Sequence, residues 1–138
     1  FYDPAAARMH LVAAVLRIGN GAAIDNFASG GMFTLLDERG VVLYPGVDKN
    51  SNVYATHPKT GTPIQGFQVP RYEEALALLE DVVRRIPEIR YVGWDIAMTP
   101  DGPAVIEGNH NSGVFQSKPS VSGIRRGLLP RYRAAMRF

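Results

Sequence analysis

The chain has 138 residues, 46% hydrophobic and 20% charged, a composition that fits one soluble globular domain with a real core. It lacks cysteine, which excludes disulfides, thiolate metal sites and cysteine nucleophiles, and no apolar run nears the roughly 18 residues of a membrane span. The formal charge of +2 conceals a division, since residues 1–117 hold all 13 acids and 9 Lys/Arg, while residues 118–138 hold six basic residues and no acid. An acidic body suits a metal site better than a nucleic-acid surface. With no secretory signal in view, the expectation is a cytoplasmic protein with neither membrane nor nucleic acid as partner.

In chain order, residues 1–8 read as an irregular start. Met9 to Gly19 is apolar with Arg17 near its end; its alanines also permit a helix, but the Gly19-Asn20-Gly21 break favours a strand. Asp25 to Gly31 is a polar loop ending in glycines. Met32–Leu36 and Val41–Tyr44 read as strands joined by Asp37-Glu38-Arg39-Gly40. Residues 45–70 have no period and are punctuated by prolines and glycines; Val53, Tyr54, Ile64 and Phe67 argue for an ordered loop. Arg71–Ile86 is the clearest helix, with Tyr72, Ala75, Leu79, Val82, Val83 and Ile86 on one stripe and Pro87 as its stop. Residues 121–136 make a weaker helix, interrupted by Gly123, Gly127 and Pro130, inside a basic C-terminal segment spanning 118–138. The fold class this predicts is α+β: one domain over 1–138, an antiparallel sheet with helices packed on it.

The most informative pattern is a pair of strands, 91–99 and 103–109, joined by Pro100-Asp101-Gly102. A three-residue loop of this kind sets Thr99 opposite Pro103, Ala97 opposite Val105, Asp95 opposite Glu107, and Gly93 opposite Asn109. Alternation then collects Val92, Trp94, Ile96, Met98 and Ile106 on a core face. The other face holds Asp95, Glu107 and Asn109. Opposed like charges are destabilising, so the two carboxylates call for a cation or a shared proton between them. Hard cations such as Mg²⁺ take such oxygen ligands. An ordinary solvated hairpin is the plain alternative, and no Lys or Arg on that face neutralises the acids.

Residues 93–109 resemble the metal-binding hairpin of the ATP-grasp superfamily, an Asp followed about a dozen residues later by Glu-x-Asn. Leu16-Arg17-Ile18-Gly19, the loop from Asp25 to Gly31, His57-Pro58-Lys59-Thr60-Gly61 and Gly66-Phe67-Gln68-Val69-Pro70 resemble its sugar-transfer associated branch. That resemblance implies a C-terminal, metal-bearing portion of an ATP-dependent ligase. Such enzymes activate a carboxylate as an acyl phosphate for attack by an amine or another nucleophile, and the branch name points to cell-surface sugar or polysaccharide metabolism. Asp95, Glu107 and Asn109 would hold Mg²⁺ (or Mn²⁺), with ATP as co-substrate beside an unknown carboxylate. Arg17 matches an arginine that reaches phosphate oxygens, although by itself it reads as a surface arginine laying its stem along a strand.

Asn26, Ser29, Gly30 and Gly31 would offer backbone N–H groups and a hydroxyl to phosphates. His57 and Lys49 are expected substrate contacts, with a structural histidine and a solvated lysine as the plainer readings. The family's small lobe, with its phosphate-gripping lysines, has no counterpart among these residues, so an N-terminal nucleotide lobe is the expected partner. Two rivals follow from the same residues: a non-catalytic binding or assembly module, and a metal-independent hydrolase using Asp95 and Glu107 as acid and base.

Overall fold

The computed structural model describes residues 1–21, 30–112 and 127–136. Its strands in chain order are β1 (Tyr2–Asp3), β2 (Arg8–Met9), β3 (Val15–Ile18), β4 (Met32–Leu35), β5 (Gly46–Asp48) and β6 (Val53–Tyr54). Helix α1 (Tyr72–Arg85) follows, then β7 (Gly93–Thr99), β8 (Gly102–Asn109) and helix α2 (Leu129–Met136). All strand pairs are antiparallel, so the α+β class holds. Among the described residues no helix is long and apolar enough to cross a membrane. The elements gather into two compact units, the first drawing on residues 1–12, 70–112 and 129–136, the second built on residues 13–21 and 30–69.

In the second unit the strands meander in the order β3-β4-β5-β6. All four residues of β4 are buried, and Met32, Phe33, Leu35, Leu36, Val42, Val47 and Ile64 form the core. The buried Thr34 hydroxyl is satisfied by donating to the Tyr44 carbonyl at 2.7 Å. The Asp37 carboxylate caps the expected turn, accepting the N–H groups of Arg39 and Val41 at 2.8 Å each. The second strand expected there does not form. Val42 makes a single bridge to Leu36, while its N–H and carbonyl bond Phe67 and Gly66 at 2.9 Å each. Within the sheet, β4 pairs instead with β5, Met32 facing Asp48 and Phe33 facing Val47.

The period-free stretch 45–70 contains a hairpin of its own. Asp48 ties the β5–β6 turn by accepting from the N–H groups of Asn50 and Asn52, the Asn52 amide and the Tyr54 hydroxyl. These donors, Asn52 first, hold the Asp48 carboxyl below the usual carboxylate range.

In the first unit the irregular start is a β1–β2 hairpin, with the Asp3 carboxylate accepting the N–H of Ala5 at 3.1 Å. Helix α1 buries Tyr72, Ala75, Leu79 and Val83, the expected stripe, and packs on β8. Glu73 and Glu74 open it and Arg84 and Arg85 close it, each sign matched to the helix dipole. Arg71, at φ 55°, stands left-handed before the helix. Its guanidinium forks onto Glu74 and donates to the Pro100 carbonyl at 2.9 Å, tying the helix start to the β7–β8 turn. Helix α2 carries Pro130 in its first turn, where a missing N–H costs no helical bond. Its Tyr132 hydroxyl meets the Tyr91 hydroxyl at 3.0 Å, and burial pushes the Tyr132 phenol above its ordinary range.

Candidate functional site

The outer half of the β7–β8 hairpin pairs Gly93 with Asn109, Trp94 with Gly108, and Asp95 with Glu107. Towards the turn the register shifts by one: Ile96 faces Val105, Ala97 faces Ala104, and Thr99 faces Gly102. The expected three-residue loop is therefore shorter by one. Gly102 adopts φ 135°, closed to other residues, and so enters the ladder directly. A bulge takes up Ile106 and restores the outer register. Ile106, expected on the core face, is 66% exposed instead, and Val105 replaces it opposite Ile96.

With the bulge in place, Trp94, Ile96, Met98 and Val105 share one face, and Asp95, Glu107 and Asn109 the other. Asn109 donates its amide hydrogen to Glu107 Oε1 at 3.1 Å, drawing those two side chains together. Asp95 is half-buried, and Glu107 and Asn109 are exposed. Among the described residues no three His, Cys, Asp or Glu side chains gather into one group. A cation here would thus draw on two carboxylates and on neutral oxygens. All of these are hard donors, and they fit Mg²⁺ or Mn²⁺ better than a thiophilic metal.

Two glycines shape the hairpin. The Trp94 ring lies across Gly108, its nearest carbon 2.6 Å from where a Cβ would stand. Ser112's side chain fills the space a Cβ on Gly93 would occupy. Residue type and spacing alone do not place Ser112 at this site. Its one signal was a glycine inside a strand, which marks close approach by another group.

The remaining candidates lie in the second unit. Arg17 is exposed and pairs with Phe33 in the β3–β4 ladder. Strand alternation sets it on the face opposite Leu16 and Ile18. Those two residues line an apolar cavity of about 150 Å³ with His57, Ile64 and Phe67. His57 and Arg17 therefore serve opposite faces of β3.

The His57 ring is engaged at both nitrogens. Nδ1 accepts the N–H groups of Lys59 and Thr60 at 3.3 and 3.2 Å, so the proton sits on Nε2, which donates to the Gly19 carbonyl at 2.8 Å. Lys49 is exposed at the tip that Asp48 organises. Gly31 is buried and Gly30 half-buried at the entry to β4, with φ 98° at Gly30. Asn26 and Ser29 lie outside the described residues.

No curated protein and no solved structure matches the sequence. The family model described as sugar-transfer associated ATP-grasp matches residues 2–129, which take in the Asp95–Asn109 hairpin, the Gly30-Gly31 entry to β4 and the His57 turn. By that match, over nearly its whole length, the chain belongs to the sugar-transfer associated ATP-grasp family.

Proposed function

We propose that this chain is the metal-bearing part of an ATP- and Mg²⁺-dependent ligase. In this reading the γ-phosphoryl group of ATP passes to a substrate carboxylate, releasing ADP, and an amine or other nucleophile then displaces phosphate. The observation that supports it is the Asp95–Glu107 pair, two carboxylates directly opposed across the ladder with Asn109 beside them. Left alone, such a pair repels; a divalent cation relieves it. Asp95, Glu107 and Asn109 would hold Mg²⁺ (or Mn²⁺). Bound there, the ion supplies charge neutralisation and alignment of phosphates.

The other residues have supporting parts. Arg17, with its planar fork, would steady the oxygens of the transferring phosphoryl group. Gly30 and Gly31, with Asn26 and Ser29, would present N–H groups and a hydroxyl to phosphates. Lys49 offers an exposed positive charge for a substrate. His57, both nitrogens committed to backbone groups, would shape the cavity wall more than touch a reacting atom. Nucleotide binding would draw on a further, lysine-bearing lobe as well as on these residues.

Glu107→Gln tests the proposal, because it keeps the shape of the side chain and removes one negative charge. Mn²⁺ affinity should fall on the order of tenfold, ~1.4 kcal/mol, while the thermal melt in the absence of metal holds or rises. Unchanged Mn²⁺ affinity would remove Glu107 from the site. Intact metal binding without metal-dependent ATP turnover in the complete protein would favour the non-catalytic binding module.

A further inference from the structure

A glycine inside a strand gives up packing, and Gly93 does so at the outer end of β7. It sits directly opposite Asn109 and two residues before Asp95. Its absent side chain would therefore stand on the same face as Asp95, Glu107 and Asn109. That place is filled by the side chain of Ser112, the Oγ approaching more closely than the Cβ. The chain leaving β8 thus turns back within three residues of Asn109 and lays a hydroxyl over the end of the carboxylate face. An alanine at position 93 would expel it.

We infer that Ser112 supplies a fourth oxygen to this face, joining Asp95, Glu107 and Asn109 around a hard divalent cation, with Gly93 making the room. The inference rests on the metal reading of the hairpin given above. Opposed Cβ positions on paired strands lie about 4.5–5.5 Å apart. Positions two apart along a strand lie roughly 6.5–7 Å apart. Ser112, above Gly93, is thus one such step from both Asn109 and Asp95, close enough to serve the same ion directly or through one bound water. A serine or threonine hydroxyl paired with an aspartate is a donor set used for Mg²⁺ in other phosphoryl-transfer sites. Two carboxylates and an amide also leave positions on the ion that neutral oxygens must fill.

The test is a Mn²⁺ titration of the whole chain followed by electron paramagnetic resonance, with Mn²⁺ alone as the probe. Ser112→Ala should weaken binding about threefold to tenfold, the span of one lost polar contact. Ser112→Thr should keep it, and the thermal melts of all three proteins without metal should coincide. Gly93→Ala should weaken binding as Ser112→Ala does. In a Ser112→Gly background, where the added methyl meets no side chain, Gly93→Ala should cause no further loss. If Glu107→Gln weakens binding and Ser112→Ala leaves it unchanged, Ser112 is a packing residue, and this inference falls while the metal site stands. If the wild-type chain binds no Mn²⁺, or Glu107→Gln binds it equally well, both fall together.

Discussion

His57 shows how a residue that invites a chemical role is used up by backbone geometry. One ring nitrogen gathers the N–H groups of Lys59 and Thr60, and the other reaches Gly19, 38 residues away in the chain. His57→Ala should destabilise the chain by about 1–3 kcal/mol, the sum expected of two or three such bonds. His57→Asn keeps an acceptor for the turn but cannot reach Gly19, so its melt should lie between the two. A wild-type melt for His57→Ala would show that the turn holds itself. Asp48 and Asp37 make a pH-dependent pair of the same kind. Asn52 foremost for Asp48, and the Val41 N–H foremost for Asp37, hold both carboxyls below the usual range. A carboxyl whose folded value is lowered contributes stability above its unfolded value of about 3.9 and loses it as pH falls through the folded value. The melting gap between wild type and Asp48→Ala should therefore be full near neutrality and close in strong acid. A gap that stays constant across that range would mean the turn does not depend on the charge.

At the scale of elements, what could be read from the sequence follows from how local the determining contacts are. Helix α1 was legible because its stripe, its charged ends and Pro87 are all local. That Asp95 and Glu107 are opposed was legible, although the turn expected to set their pairing is one residue shorter and the bulge at Ile106 makes up the difference. The bulge was not, since nothing in Pro103-Ala104-Val105-Ile106 distinguishes a bulged residue from a paired one. Residues 41–44 failed as a strand for a different reason: the backbone partners of Val42 lie at 66 and 67, beyond any local pattern. The bulge makes a sharp prediction. Ile106→Lys should change stability by no more than about 0.5 kcal/mol, the range of exposed substitutions. Trp94→Ala, which strips the ring from Gly108, should cost roughly 1.5–3 kcal/mol. Chemical denaturation of both variants decides it; a large loss for Ile106→Lys would restore that side chain to the core face.

For the whole molecule, the decisive fact is that the two compact units divide the candidate residues. Asp95, Glu107, Asn109 and Ser112 belong to the first, while Arg17, Gly30, Lys49 and His57 belong to the second. This partition was illegible in the sequence, because the first unit is assembled from three separated stretches and no linker marks its edges. Each unit has its own buried side chains, so each should open on its own, and hydrogen exchange reads such opening segment by segment. Met32, 2% exposed, anchors the second unit and Leu79, 9% exposed, the first. Truncating either to alanine should cost about 2–5 kcal/mol locally. Met32→Ala should speed exchange across 13–21 and 30–69, and Leu79→Ala across 70–112. A ligand stabilises only the states that bind it, by RT ln(1 + [L]/Kd). Mn²⁺ held on the hairpin should therefore slow exchange in 91–109 and in α1 packed against it, and leave 30–69 at its metal-free rate. The slowing should vanish in Glu107→Gln. Metal-induced protection spread equally over both units would mean that they open as one, and that the ion's ligands are not confined to the hairpin.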